Sequence, residues 1–565
     1  MIAGLACMGV ANAAVLLASH ATLRRVRTGR TSLDVALFLI LRFLILSALV
    51  VGAGLARILT PWGLGAIGAA LLAGLVAMGE PRALPAFRWP RVGILPGIFL
   101  GALLLRLLLQ VWFFAPYAGD ALSYHLPKIA EWVRAGGFTL EHGADTRSTF
   151  PAGLELVETW WVVFLRHDVL IEMAGVEFLI LMFAAAHALA GSLGLGGRAA
   201  MLAALGAACT PGMLLQATSC LNDGPVAALL IATAALIAAR AHPLLVALPV
   251  ALGLGVKPVF GFALPGLLLL AWLRRREPAS PIGAPRLALA FAVLAAAVGG
   301  FWYARNTILY GNPVHPVTSA GFVTPDGVRL QRAGPDVTNL RENVRRAVDS
   351  RIYDHIAPWS AWLFNTAGWG PLVFAAGLPG LLFALRTEAR WRGPAACFLL
   401  SLLTVFLLVQ SDAWFMRFVL FFPTLLALAA ARLAEEFRPV RLLLGICLLM
   451  QFAGTMVPGE FPVGELGSLA RQGWRERRFE QAAGGPRREV VGCLAPGGRK
   501  SYALYGPAFD TRVVTLRPAS ADELIAALRR EGIRVLYASY RSEPLRECLE
   551  RRLLHPSIGA TYELK

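Results

Sequence analysis

The feature that most constrains this chain is a succession of apolar runs of membrane-spanning length, each separated from the next by a short polar or basic stretch. Runs of about twenty apolar residues can satisfy their backbone groups in a bilayer only as helices. Hydrophobic residues make up 57% of the 565-residue chain and charged ones only 16%, against about 25% in a soluble domain. With a mean hydropathy of +0.61, that much apolar surface cannot be buried in one aqueous core. The bulk of the chain must be helices in lipid.

Basic residues orient these helices, because Lys and Arg collect in cytoplasmic loops. The run 2–19 has no basic residues before it, so it reads as a retained helix and not as a cleaved signal peptide. Arg24, Arg25, Arg27 and Arg30 follow it and stay inside. Spans at 33–56, with Arg42 inside it, and 62–79 lead to a second inside loop holding Arg82, Arg88 and Arg91. The next span, 93–114, therefore delivers Asp120 to the outside. Spans at 168–190 and 199–217 flank Arg198, Asn222-Asp223 emerges outside, and the following span returns to Arg240. The segment 243–272 carries Lys257-Pro258 at its middle and reads as two short helices meeting near the outer face, since proline removes a backbone donor. A span at 286–304 exits at Arg305-Asn306. Spans at 366–386, 394–409, 416–433 and 440–456 complete the set, with Asp412 and Arg417 outside. The expectation is an α-helical polytopic membrane protein of about fourteen crossings, give or take two. The membrane part is 1–457, with external loops at 115–165 and 305–362, and the end of the chain lies outside.

The net charge of +18 would suggest nucleic acid in a soluble chain. In a membrane protein it belongs to loops facing anionic lipid, and no nucleic-acid partner is expected. The seven cysteines lie mostly alone in apolar runs, without CxxC or Cys/His spacing, which argues against a zinc site.

From residue 458 the composition becomes that of a soluble α/β domain, 458–565. Segments 490–493, 513–516 and 535–538 read as short β-branched strands. Residues 521–530 read as a helix with Ser520 as N-cap and Glu523 completing a capping box, and 544–554 as a second helix. No phosphate-binding GxGxxG is present, so scaffolding or acceptor handling is expected of this domain before catalysis.

Polar chemistry begins abruptly at 119–132, where Asp120, Tyr124, His125, Lys128 and Glu131 follow an apolar run. The other polar residues at the outer ends of spans are Glu155, Asn222, Asp223, Lys257, Arg305, Asn306, Asp412 and Arg417. An external carboxylate flanked by cations suits a reaction in which a hydroxyl is deprotonated while a phosphate-linked group departs. Each residue also has a plainer reading. A Lys or Arg at a helix end can snorkel to the headgroups, Asp120 and Asn222-Asp223 can cap helices, and His125 can be a packing or hydrogen-bonding residue.

The chain resembles the GT-C superfamily of polyprenyl-phosphate-sugar-dependent membrane glycosyltransferases, the group of the protein O-mannosyltransferases and the lipid A aminoarabinose transferase. The resemblance rests on Asp-Ala-Leu-Ser-Tyr-His-Leu-Pro-Lys-Ile from Asp120, and on Phe-Pro-Ala-Gly-Leu-Glu-Leu from Phe150. Further on come Asn222-Asp223, Lys257 after a Gly-rich segment, Arg305-Asn306 with Tyr310-Gly311-Asn312-Pro313, Met416-Arg417-Phe418, and the tail phrase from Leu504 to Phe509. It implies an inverting transfer of a sugar from a polyprenyl-phosphate carrier to an envelope glycan, lipid or protein acceptor, at the periplasmic face of a bacterial inner membrane. Asp120 maps to the acceptor side as general base, and Lys257, Arg417 and Arg305 map to the lipid phosphate. Tyr124, His125, Lys128, Glu155, Asn222 and Asp223 complete the substrate-binding set. The chain departs from the pattern at Ala121, where many relatives carry a second acid, and in having three spans ahead of the motif. Asp223 and Glu155 are the candidates for a second carboxylate. No paired acidic motif supports a divalent metal, and no cofactor is assigned.

Two other readings stay open. A transporter or flippase for a lipid or anionic solute would place charges near the bilayer midplane and carry an inverted repeat, whereas the polar groups here gather at one face. A polysaccharide polymerase or ligase would share the lipid carrier but use a pyrophosphate-linked glycan.

Overall fold

The computed structural model describes residues 2–80, 93–139, 146–318, 331–332, 335–348, 367–410 and 415–456, with 461, 464 and 466, and, toward the C-terminus, 490–494, 501–506, 508–538, 542–556 and 561–564. Among these, six helices are long and apolar enough to cross a membrane, and six shorter apolar helices of 10–17 residues pack among them. The chain is a multi-pass membrane protein.

The first half comprises α1 (Ile2–Val26), α2 (Thr31–Leu55), α3 (Pro61–Ala77), α4 (Ile94–Phe113), α5 (Leu126–Ala135), α6 (Gly153–Val163), α7 (Met173–Ser192) and α8 (Gly197–Ala208). It continues with α9 (Pro211–Gln216), α10 (Asp223–Ala238), α11 (Pro243–Val256), α12 (Val259–Arg274), α13 (Pro285–Tyr310) and α14 (Val337–Val348). Then follow α15 (Leu378–Thr387), α16 (Arg392–Leu408), α17 (Phe422–Glu436) and α18 (Arg438–Gly454). A two-residue parallel pair joins β1 (Val317–Thr318) to β2 (Gln331–Arg332).

Burial separates an inner ring from a lipid-facing rim. All sixteen residues of the alanine-rich α10 are buried, whereas Leu104, Leu105 and Leu108 of α4 face outward. Small side chains let such inner helices approach closely where lipid supplies no hydrophobic drive. The tightest approach involves three glycines. A Cβ on Gly153 would lie 2.8 Å from the Gly255 backbone, one on Gly255 would lie 2.8 Å from the Cα of Gly299, and one on Gly299 would lie 2.1 Å from the Ala251 carbonyl oxygen. That stack fixes the start of α6 against the end of α11, and so fixes Glu155 and Lys257, each two residues beyond one of those glycines.

Several expected spans are broken. The run 199–217 divides at Pro211 into α8 and α9. The run 243–272 divides at Lys257, whose backbone is extended (φ −161, ψ 137), as expected. Arg305 does not open the external loop but lies inside α13, which runs on to Tyr310 before Gly311 ends it in the left-handed region. Arg42 faces the bundle. Its Nη2 lies 2.8 Å from Glu177 Oε1 of α7 and 3.2 Å from Asn12 Oδ1 of α1.

The C-terminal sheet has five strands, β3 (Val490–Leu494), β4 (Arg512–Leu516), β5 (Val535–Tyr537), β6 (Leu554–Pro556) and β7 (Thr561–Leu564), in the order β4-β3-β5-β7-β6. The first three are parallel, and β7 runs antiparallel to both β5 and β6. Helices α19 (Ala521–Arg530) and α20 (Glu543–Glu550) join them. Ser520 Oγ accepts the Glu523 amide at 3.2 Å, and the Glu523 carboxylate accepts the Ala519 amide at 2.7 Å. The expected second helix is shorter than 544–554, because Arg552 turns into the left-handed region and Leu554 begins β6.

The sheet is not separate from the membrane body. Tyr502, Tyr505 and Phe509 are part of the same core as the membrane helices. The turn Ser501–Tyr505 packs on α5 and on the residues just before it. The Tyr502 hydroxyl donates to Asp168 Oδ2 at 3.2 Å.

Candidate active site

Between α4 and α5 the chain makes a π-helical turn, Ala121–His125, continuous with α5. A single π turn inside a helix is a frequent mark of a functional site, because the extra residue re-aims neighbouring side chains. Asp120 precedes this turn and makes no capping bond with it, so the capping explanation does not hold for Asp120. The side chain of Asn222 likewise caps nothing at the start of α10.

Both oxygens of Asp120 are engaged. Arg147 Nη1 lies 3.2 Å from Oδ1, and Arg417 Nη1 lies 2.9 Å from Oδ2. Arg417 also reaches Asp223, its Nε 3.5 Å from Oδ2. Lys257 Nζ lies 2.5 Å from Asp223 Oδ1. The result is an alternating row, Arg147, Asp120, Arg417, Asp223, Lys257, assembled from separate stretches of chain. Arg417 sits in a 3-10 turn, Phe415–Val419, ahead of α17, and Lys257 at the break between α11 and α12. Phe418 backs the two inner cations, with Lys257 Nζ 4.6 Å and the Arg417 guanidinium 5.2 Å from its ring. The row is open at one end. The Asp120 side chain is 22% exposed and that of Arg147 35%, while that of Asp223 is 2% exposed. Burial pushes the Asp120 carboxyl up, but Arg417, Arg147 and His125 outweigh it and hold the group at about 2.

The other predicted site residues form a second cluster. Glu155 Oε1 pairs with Lys128 Nζ at 2.7 Å and lies 2.8 Å from His125 Nδ1. All three are buried, and Glu155 is completely so. Burial raises the Glu155 carboxyl, yet Lys128 and His125 prevail and hold it at about 2. Burial also lowers the His125 imidazole, against the pull of Glu155, which favours the neutral ring. Tyr124 lies between the clusters, its ring 4.2 Å from that of His125 and 4.5 Å from the Arg147 guanidinium.

The structure thus brings together Asp120, Asp223, Lys257 and Arg417, and separately His125, Lys128 and Glu155. Of the two candidates for a second carboxylate, Asp223 shares a cation with Asp120 and Glu155 does not. Arg305 joins neither cluster. It donates to Asn306 Oδ1 at 3.1 Å, bonds Tyr310 and lies over Trp302. Asn306 in turn ties α13 to the Thr149 carbonyl at 3.0 Å. Asp412 falls outside the described residues. Arg147 went unnoticed in the sequence, where a lone arginine in a loop has no pattern; its only cue is that it stands just ahead of the Phe150-Pro151 motif. Among the described residues no three His, Cys, Asp or Glu side chains stand where they could hold a metal ion. Chemically, the open row offers a carboxylate able to receive a proton beside cations able to hold an anionic oxygen.

No protein-family profile and no curated protein matches the chain. Solved structures do resemble it. ArnT from Cupriavidus metallidurans in the apo state superposes with a TM-score of 0.51 at 15% identity, over 83% of this chain and 97% of that one. The same protein bound to undecaprenyl phosphate gives a TM-score of 0.48 at 12% identity, over 82% and 97% of the two chains. The arabinofuranosyltransferase AftD from mycobacteria gives 0.43 at 16% identity, over 85% and 40%. The chain therefore has the fold of apo ArnT along most of its length.

Proposed function

We propose that the chain is an integral-membrane glycosyltransferase that moves a sugar, with inversion, from a polyprenyl-phosphate carrier to an acceptor hydroxyl at the periplasmic face. The observation that carries this reading is the open row in which Asp120 and Asp223 alternate with Arg147, Arg417 and Lys257. The fold shared with ArnT agrees with it, as do the sequence motifs that supply the row. In the proposed step the acceptor oxygen attacks the anomeric carbon from the face opposite the phosphate. The new C–O bond forms as the bond to the phosphate oxygen breaks, Asp120 takes the hydroxyl proton, and Lys257 with Arg417 stabilises the charge on the departing polyprenyl phosphate. Tyr124 and Asn222 flank the row and complete the substrate contacts, and an envelope glycan, lipid or protein serves as acceptor.

The test uses membranes that contain the protein and a polyprenyl phosphate bearing a labelled sugar. Label passes to an acceptor with the wild type and not with Asp120→Asn inserted at the same level. Wild-type transfer by Asp120→Asn removes Asp120 as the base, and absence of any transfer by the wild type removes the reading.

A further inference from the structure

Asp120 and the phosphate of the proposed donor need the same guanidinium. We infer that Arg417 is an exchangeable clamp: without a lipid phosphate it holds Asp120 inactive, and a phosphate docking between Lys257 and Arg417 draws it away and frees Asp120 to act as base. The inference rests on the proposed glycosyl transfer and adds an order of events to it.

A base must have a free lone pair and an affinity for protons matched to the working pH. In the row both oxygens of Asp120 are already held by cations, Arg147 on one and Arg417 on the other, which lowers its affinity for protons. Its carboxyl is held at about 2, so it is nearly powerless as a base in this state. Arg417 is well placed to change partners. It reaches Asp120 through Nη1 at 2.9 Å and Asp223 through Nε at 3.5 Å, so one guanidinium is shared by two carboxylates, the second at ion-pair distance only. Lys257 and Arg417 also share the Phe418 ring and the carboxylate of Asp223, so an arriving phosphate meets them as a pair.

Among the described residues, the charged and titratable groups around Asp120 include Tyr124 on the turn that follows it. His125 lies on its own turn, Arg147 on the turn Thr146–Thr149 and Arg417 on Phe415–Val419, with Asp223 and Lys257 beyond. Tyr502 and Tyr505 lie on the turn packed against the π-helical segment. Among the described cations, Lys257 and Arg417 touch both Asp223 and the Phe418 ring. Losing Arg417 raises the Asp120 carboxyl toward its ordinary 3.8, so donor binding takes up protons at acid pH. Deprotonation of an acceptor or of water then waits for the donor.

The experiment measures binding of undecaprenyl phosphate to the full-length protein in detergent at pH 8, where the ligand's own titration does not intrude. Because Asp120 competes for Arg417, Asp120→Asn binds the lipid about fivefold tighter, roughly the worth of one partly exposed ion pair, although it transfers nothing. Asp120→Ser replaces it if the asparagine variant does not fold. Glu131→Gln serves as the control, since it removes a charge of the same sign from α5 but one held by Arg134 at 2.6 Å. It binds like the wild type. Unchanged or weaker binding by the Asp120 variants overturns the clamp, and so does equal tightening by Glu131→Gln, which would mark a diffuse field effect. If the wild type binds no undecaprenyl phosphate, the donor assignment itself falls, a result distinct from either of those.

Discussion

Two ionic clusters built from the same residue types lie side by side in this protein. In the open row each aspartate is shared by two cations, Arg417 bridges both aspartates, and one end reaches solvent. In the sealed cluster one carboxylate, Glu155, faces one lysine and one histidine, and none of the three is more than 7% exposed. The first has one more cation than carboxylates, and one cation is shared between two carboxylates. The second is closed. We propose that the first takes an anionic ligand and that the second holds its surroundings together. Charges buried as completely as Glu155 and Lys128 lose several kcal/mol of hydration each, which their mutual attraction and the bond to His125 must offset. That arrangement joins α6 to α5 directly behind the turn that follows Asp120.

The comparison breaks most decisively at Asp120. Asp120→Asn should lower the transfer rate by at least about a thousandfold, because general-base assistance and its charge are lost together. Expression, insertion and melting temperature should stay near wild type, since Asp120 is partly exposed and caps nothing. A loss of less than tenfold would falsify the division of labour between the clusters.

Next come the lysines, one from each cluster. Lys257→Ala should raise the donor KM by about tenfold to a hundredfold, as a charge-assisted phosphate contact disappears, with a small change in melting temperature. Lys128→Ala should do the reverse. It leaves Glu155 buried without its main counter-charge, which costs about 3–5 kcal/mol of stability, and donor KM in the protein that remains folded should hardly move. If Lys128→Ala raised KM while leaving the melting temperature alone, the sealed cluster would belong to the donor site.

Much of this was legible in the sequence, for a physical reason. Positive-inside orientation is a property of the loops, so counting crossings placed Asp120, Asp223, Lys257 and Arg417 on one face without knowledge of any contact. The division between clusters was not legible. His125, Lys128 and Glu155 have the polarity of exposed residues, and only the packing of α5 against α6 and the close approach at Gly153 shows that they are sealed. Arg305 was misplaced because hydropathy falls at Arg305 while the helix continues to Tyr310. In the C-terminal part, the β-branched strands and the capped helix announced themselves. Strands β6 and β7 did not, because Thr-Tyr-Glu-Leu gains its pairing from β5 and Leu-His-Pro from β7, not from local propensity.

Acid should act on the sealed cluster through Glu155. Its carboxyl is held at about 2 when folded against an ordinary 4.5, a depressed value. The stability it supplies is therefore complete above about pH 4.5 and is lost as pH falls toward 2. The melting temperature should be level between neutral pH and that point with respect to this group, then decline. Glu155→Gln should start lower and decline less steeply, and equal acid slopes in the two proteins would exclude Glu155 as the source.

The smallest effect is expected at Arg305, and it tests whether the two clusters account for the site. Arg305 lies in α13 with its guanidinium on Asn306, Tyr310 and the face of Trp302, and it pairs with neither aspartate. Its sequence position had suggested a phosphate ligand on the same grounds as Lys257. The contacts it makes are those of a residue fixing the last turns of α13, where Asn306 reaches the Thr149 carbonyl beside Arg147. Arg305→Ala should change donor KM by less than about threefold, the range of a partly exposed charge that touches no ligand, and lower the melting temperature slightly. A tenfold rise in KM would mean that α13 turns its cation toward the donor on binding, and the open row would then need a fourth cation to be complete.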